Sequence, residues 1–173
     1  GARKETINQV VDKVRDELYQ GISTKEIYNR AFSLLKKRKS YLASKYKLKK
    51  AIYELGPTGF PFERFISAVL KYSGYTTEVG KTLQGSCVSH EIDVIAHKNN
   101  ETIIVECKFH SEQGLNCNVK VPLYINSRYE DVKEKWNTNP IRKTEITEGW
   151  VVTNTRFTKD AKEFGNCKGV DVL

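Results

Sequence analysis

Between residues 5 and 19 the apolar side chains Ile7, Val10, Val11, Val14 and Leu18 recur every three or four positions, the spacing of one face of an α-helix. Thr6 is a candidate N-cap, and Gly21 marks the end. Ser23 followed by Glu26 has the form of a capping box, so a second helix is expected to bury Ile27, Ala31, Leu34 and Leu35. A third is expected over residues 41–55, with Leu42, Tyr46, Leu48, Ile52 and Leu55 on its buried side, until Gly56-Pro57-Thr58-Gly59 breaks it. The break is the expected boundary between a helical unit, residues 1–55, and a second unit, residues 56–173.

After the break the period changes. Phe62, Phe65, Ile66, Val69 and Leu70 predict a short helix closing at Gly74. Residues 75–79 then predict a strand, 80–89 a loop and 91–97 a second strand. A turn at Asn99-Asn100 leads into residues 102–110, where Ile103-Ile104-Val105 is the apolar run of a strand buried on both faces. Helices are expected at 124–136 and 158–164, and strands at 149–153 and 170–173. Alternating strands and helices predict an α/β unit, a mixed four- or five-stranded sheet flanked by helices.

The composition allows this. At 173 residues and 19.8 kDa the chain suits one well-cored domain, or a compact domain with a helical appendage. With 39% apolar and 29% charged residues it is neither collagen-like nor wholly disordered. No run of 18 apolar residues and no apolar signal core are present, so no membrane partner is expected and a cytoplasmic location is the default. The lack of Met and the opening Gly1-Ala2 suggest a piece cut from a longer protein.

Charge separates the two units. Residues 1–56 hold 14 Lys and Arg against 6 Asp and Glu, whereas the rest holds 15 of each, so the net +8 lies entirely in the first third. The densest stretch, residues 36–50, has eight basic side chains and no acidic one, with Tyr41 and Tyr46 interleaved. Such a face binds polyanions by releasing counterions, although a merely solvated helix face has the same composition. Lys36, Lys37, Arg38, Lys39, Lys45 and Lys47 are the candidate DNA contacts. The four cysteines form no CxxC pair and are expected to be reduced. Cys87 with His90, and Cys107 with His110, mimic zinc half-sites, but residues three apart on a strand point to opposite faces.

Two charges, Glu106 and Lys108, end the most hydrophobic strand. They are two positions apart and share a face with Ile104, and an ion pair in so buried a place is a poor device for stability. Upstream, Asp93 is flanked by Ile92 and Val94, which are expected together on the opposite face. A hairpin through Asn99-Asn100 would bring Asp93 beside Glu106. Two carboxylates at close range repel unless a cation or proton lies between them. Mg²⁺, with Mn²⁺ as a substitute, suits such oxygen ligands, and the Cys107 main-chain carbonyl could supply another. Lys108 would then orient a water and offset charge on phosphorus, with Glu63 as the fourth member of the group. Arg128, on the following helix, is expected to meet a DNA phosphate or to pair with Glu130 or Asp131.

The residues Gly59-Phe60-Pro61-Phe62-Glu63, Gly74-Tyr75, Glu91-Ile92-Asp93-Val94-Ile95-Ala96 and Val105-Glu106-Cys107-Lys108 resemble the PD-(D/E)XK nuclease superfamily, most closely its Mrr-like restriction endonuclease branch. Residues 151–161 resemble the closing strand and helix of that branch. The resemblance implies a restriction-endonuclease-like fold and DNA cleavage leaving a 5′-phosphate. It implies Asp93 and Glu106 as metal ligands, Lys108 as the catalytic lysine and Glu63 as the acid on the first core helix. Ile92 stands where the superfamily name has Pro, and Glu106 where many of the branch carry Gln. Residues 21–28 and 46–52 resemble the last helices of an ATP-cone. The nucleotide-contacting opening of that module has no counterpart here, so ATP is not expected of this fragment. Double-stranded DNA is the expected partner, and cleavage of both strands would call for a homodimer. A non-catalytic DNA-binding module, a nucleotide-sensing piece of a restriction system and a junction resolvase are the alternatives.

Overall fold

The structure is a computed structural model describing residues 4–38, 40–56, 58–112 and 114–173, apart from the side chains of Tyr41, Tyr46 and Lys49. Its contacts divide the chain into two units, after Glu54.

The first unit holds α1 (Lys4–Asp16), α2 (Thr24–Arg38) and α3 (Ser40–Tyr53). Ser23 caps α2 by accepting the Glu26 N–H at 3.1 Å. The box is only half made, because the Glu26 carboxylate turns to Arg30 and to the Tyr19 hydroxyl, each at 2.8 Å. Of the apolar stripe expected on α1, only Val10 is buried, and Ile7, Val11 and Leu18 are about half exposed. On α3, Leu42 and Ala43 are buried whereas Leu48, expected inside, is 50% exposed. Six residues from Leu42 is a rotation of about 240°, which carries Leu48 to the far side of the helix.

The second unit opens with α4 (Phe60–Tyr72), with Pro61 in its first turn, where a missing N–H costs nothing. A five-stranded sheet follows in the order β1 (Thr76–Gln84), β2 (Ser89–Lys98), β3 (Glu101–Lys108), β5 (Glu145–Thr153), β7 (Val170–Val172). Strands β1, β2 and β3 are antiparallel neighbours joined by tight turns. Helices α5 (Lys120–Asn137) and α6 (Lys159–Lys168) carry the chain between β3, β5 and β7, which are therefore parallel. Two short strands, β4 (Asn116–Cys117) and β6 (Arg156–Phe157), pair separately. In β3, Thr102 to Cys107 are all buried, as expected of the middle strand.

The two faces follow from register. Ile95 opposite Ile104 packs with Ile125, Tyr129, Val132 and Trp136 of α5. Thr77, opposite Ala96, meets Ser67 of α4 at 2.7 Å, so α4 covers the other face. The segment read as a loop from residue 80 is mostly strand, since β1 runs on to Gln84.

Gly149 of β5 allows α5 to close on the sheet: a Cβ there would lie 2.8 Å from the Tyr129 ring. Gly149→Ala is expected to destabilise the second unit by about 1–3 kcal/mol through overpacking. Urea unfolding checks this, and a loss below about 0.5 kcal/mol would show that Tyr129 yields freely.

Candidate active site

The β2–β3 hairpin turns at Asn99, in the left-handed region at φ 56°, and the pairs Lys98↔Glu101 through Val94↔Val105 follow. One further step would set Asp93 opposite Glu106, but the ladder stops. The Cys107 N–H instead donates to Asp93 Oδ2 at 2.6 Å. On the β1 side the pairing also skips Asp93, between Val79↔Val94 and Lys81↔Ile92, with Gly80 at φ 61°. Ile92 therefore joins the α5-side cluster with Ile95 and Ile104, contrary to the expectation that it and Val94 share a face. This irregularity turns the Asp93 carboxylate onto the main chain of β3.

Glu106, only 8% exposed, has both oxygens engaged. Lys108 Nζ donates to Oε1 at 2.8 Å, and Arg128 Nη1 donates to Oε2 at 2.8 Å. A second Arg128 nitrogen donates to the Glu91 carbonyl. Thr153 Oγ1 donates to the Lys108 carbonyl at 2.7 Å and ties the end of β3 to β5.

The carboxylates feel one another. Asp93 is pushed up from 3.8 to about 6, chiefly by burial, next by the Glu106 charge and less by Glu63, against the Cys107 N–H and Lys108. Glu63, in the first turn of α4, is also raised, by burial and then by Glu91 and Glu106, with Lys108 opposing. Burial and Asp93 push the Cys107 thiol far up, so it is no nucleophile.

Asp93, Glu106, Lys108 and Glu63 thus share one electrostatic site. Arg128 pairs with neither Glu130 nor Asp131, as one expectation had it: its side chain is 14% exposed and its partner is Glu106. The signal was its place on α5, one turn from buried Ile125 and Val132, where a charge needs a partner. Asp131 accepts from the Cys87 and Val88 N–H groups and meets His90 Nε2 at 2.7 Å. These contacts hold it well below the ordinary carboxylate range, at about 2, and fasten the β1–β2 turn to α5. His110 Nε2 lies 3.2 Å from the Cys117 thiol.

In the first unit Lys36, Lys37, Arg38, Lys45 and Lys47 are exposed, with Arg38 also donating to Gln9. Lys39 lies outside the described residues.

Among the described residues no group of three or more His, Cys, Asp and Glu could hold a metal. The donor set that does converge consists of hard oxygens. The Cys107 N–H points to the Asp93 carboxylate. A buried carboxylate that the Glu106 charge helps to push up toward its neutral form, with Glu106 itself close by, is an oxygen donor set of the kind that suits Mg²⁺, which keeps several of its waters.

A mixed sheet with carboxylates and a lysine at the end of its middle strand, covered by helices on both faces, has the architecture of a restriction endonuclease fold. Residues 57–173 match the family model Mrr_cat, described as restriction endonuclease, and the chain belongs to that family. An uncharacterised protein of Archaeoglobus fulgidus is 32% identical over 105 residues, which cover 61% of this chain and 55% of that protein. The chain thus spans about half the length of that relative. The crystal structure of AF1548, a protein of unknown function, is similar with a TM-score of 0.59 and 29% identity, over 66% of this chain and 57% of that one. MspJI restriction endonuclease, solved with a 27-mer oligonucleotide, gives a TM-score of 0.40 at 14% identity, over 76% and 29% of the two chains. No helix among the described residues is long and apolar enough to cross a membrane.

Proposed function

We propose that the chain is a Mg²⁺-dependent DNA endonuclease in which Asp93, Glu106 and the Cys107 carbonyl hold the metal and Lys108 serves the attacking water. The observation that supports this is the Asp93 carboxylate bonded to the Cys107 N–H, next in β3 to Glu106, where the β2–β3 ladder ends, with Lys108 bonded to Glu106. A bound Mg²⁺ would polarise the scissile phosphate and lower the pKa of a water, with Mn²⁺ able to substitute. Lys108 holds a proton and a positive charge where a pentavalent phosphorus gathers negative charge. Glu63 adds negative charge beside Lys108 and keeps the ammonium aimed into the site.

The first unit, proposed to be the end of an ATP-cone-like module without nucleotide binding of its own, grips duplex DNA through Lys36, Lys37, Arg38, Lys39, Lys45 and Lys47. Cutting both strands asks for two sites, so a homodimer belongs to the proposal. The full pairing of Glu106 favours a second reading, a DNA-binding module that no longer cleaves.

Supercoiled plasmid separates the two. Conversion to nicked or linear forms in Mg²⁺ or Mn²⁺, abolished by EDTA, is the expected result. DNA binding in a gel shift with no conversion in either metal would select the second reading. Linear, methylated and branched substrates then distinguish a restriction enzyme from a junction resolvase.

A further inference from the structure

We propose that Arg128 is a positioning residue for the metal site, setting the orientation of Glu106 from α5; this deepens the nuclease reading and rests on it. Glu106 is buried at the end of β3, and its two oxygens are held from different directions. Lys108 comes from the same strand and is 36% exposed. Arg128 comes from another element and is more deeply buried. It also grips the Glu91 carbonyl of β2, so a single guanidinium links α5, β2 and β3 at the place where the β2–β3 ladder has ended.

The surroundings fix the guanidinium. Tyr124, one turn earlier on α5, lays its ring 5.5 Å from Arg128 Cζ. Arg128 and Glu106 line a small apolar cavity with Ile92, Ile104, Ile125 and Gly149. A planar guanidinium with two anchored nitrogens holds a carboxylate in one orientation, as a flexible ammonium does not. A carboxylate has about four lone-pair directions. With one taken by Arg128 and one by Lys108, the remaining ones are left for an ion.

The test is Mn²⁺ binding by the full chain, followed by electron paramagnetic resonance without DNA, for wild type, Arg128→Met and Arg128→Lys. Removing a hydrogen-bond partner of a metal ligand typically costs 10–100-fold in metal affinity. Arg128→Met is expected to weaken Mn²⁺ binding by about that factor, with partial rescue in Arg128→Lys. DNA affinity measured in Ca²⁺, and its salt dependence, are expected to change less than about threefold, because two Arg128 nitrogens are already bonded within the protein. Circular dichroism verifies folding, and the lysine variant carries the test should the methionine variant not fold. Unchanged Mn²⁺ affinity with weaker, less salt-dependent DNA binding would make Arg128 a phosphate contact and overturn the inference. Tighter Mn²⁺ binding in the variants would overturn it too, by making the guanidinium a competitor of the metal. Wild-type protein that takes up no Mn²⁺ would overturn the nuclease reading together with the inference, whereas failure of the inference alone leaves the wild-type titration intact.

Discussion

Lys108→Ala is expected to lower the rate of plasmid nicking by about 10²–10³-fold, the loss typical of removing one preorganised donor from a developing oxyanion. Its stability is expected to stay close to wild type. Lys108 is 36% exposed, and Glu106 keeps its Arg128 partner when the ammonium is gone. An ion pair open to water to this degree contributes little to folding. Binding of uncleaved DNA is expected to persist, since the basic side chains assigned to DNA lie in the other unit. Initial rates in Mg²⁺, a thermal melt and a gel shift measure the three effects separately. Activity within about threefold of wild type would remove Lys108 from the chemistry, and loss of folding would make it structural instead.

The register that carries Asp93 to the end of β3 was legible because a two-residue turn fixes the register of a hairpin. Once Asn99-Asn100 is the turn, opposed residue numbers have a constant sum along both strands. The buried Ile103-Ile104-Val105 run likewise marks the middle strand from composition alone. The end of the ladder at Val94↔Val105 was not legible. It depends on Asp93 taking the Cys107 N–H and on the irregularity opposite Gly80, both of which are tertiary events. Gly80 read as the start of a loop because glycine is a general signal of chain breaks, yet here its left-handed backbone lies within a strand. Strands β4 and β6, two residues each, carry no periodicity to detect.

Arg128 shows the same limit in the site itself. Its neighbours along the helix, Glu130 and Asp131, offered themselves as partners, but Glu106 is 22 positions away on another element. Asp131 is likewise engaged with His90 and the turn at Cys87 and Val88. A charge embedded in a buried helical stripe indicates that a partner exists and leaves its identity to the fold. In the first unit the small bundle covers only part of the apolar face that α1 presents, so periodicity identified the helix and the side that holds Val10 but not how little of the stripe is covered.

Asp93→Asn is expected to abolish nicking while raising stability, and the pH dependence of that gain is its signature. The Asp93 carboxyl has an ordinary value of 3.8 and stands at about 6 in the folded protein, because burial and Glu106 disfavour its charge. Below about pH 3 it is protonated in both folded and unfolded chains, so folding carries no charge penalty from it. As pH rises through about 6 the folded protein must ionise Asp93 in an unfavourable place, and the relative stability present at low pH is lost. Asparagine keeps an oxygen for the Cys107 N–H and never ionises. Allowing for the solvent that still reaches the site, the gain at pH 7.5 is on the order of 1–2 kcal/mol, or about 3–6 °C in melting temperature. At about pH 3 the two proteins are expected to melt together. Mn²⁺ reverses the comparison at pH 7.5: it stabilises wild type in proportion to binding and leaves the variant unmoved. Melting curves at the two pH values, with and without Mn²⁺, provide the measurement. A variant less stable than wild type at pH 7.5, or equally stabilised by Mn²⁺, would show that Asp93 serves the fold and not the metal.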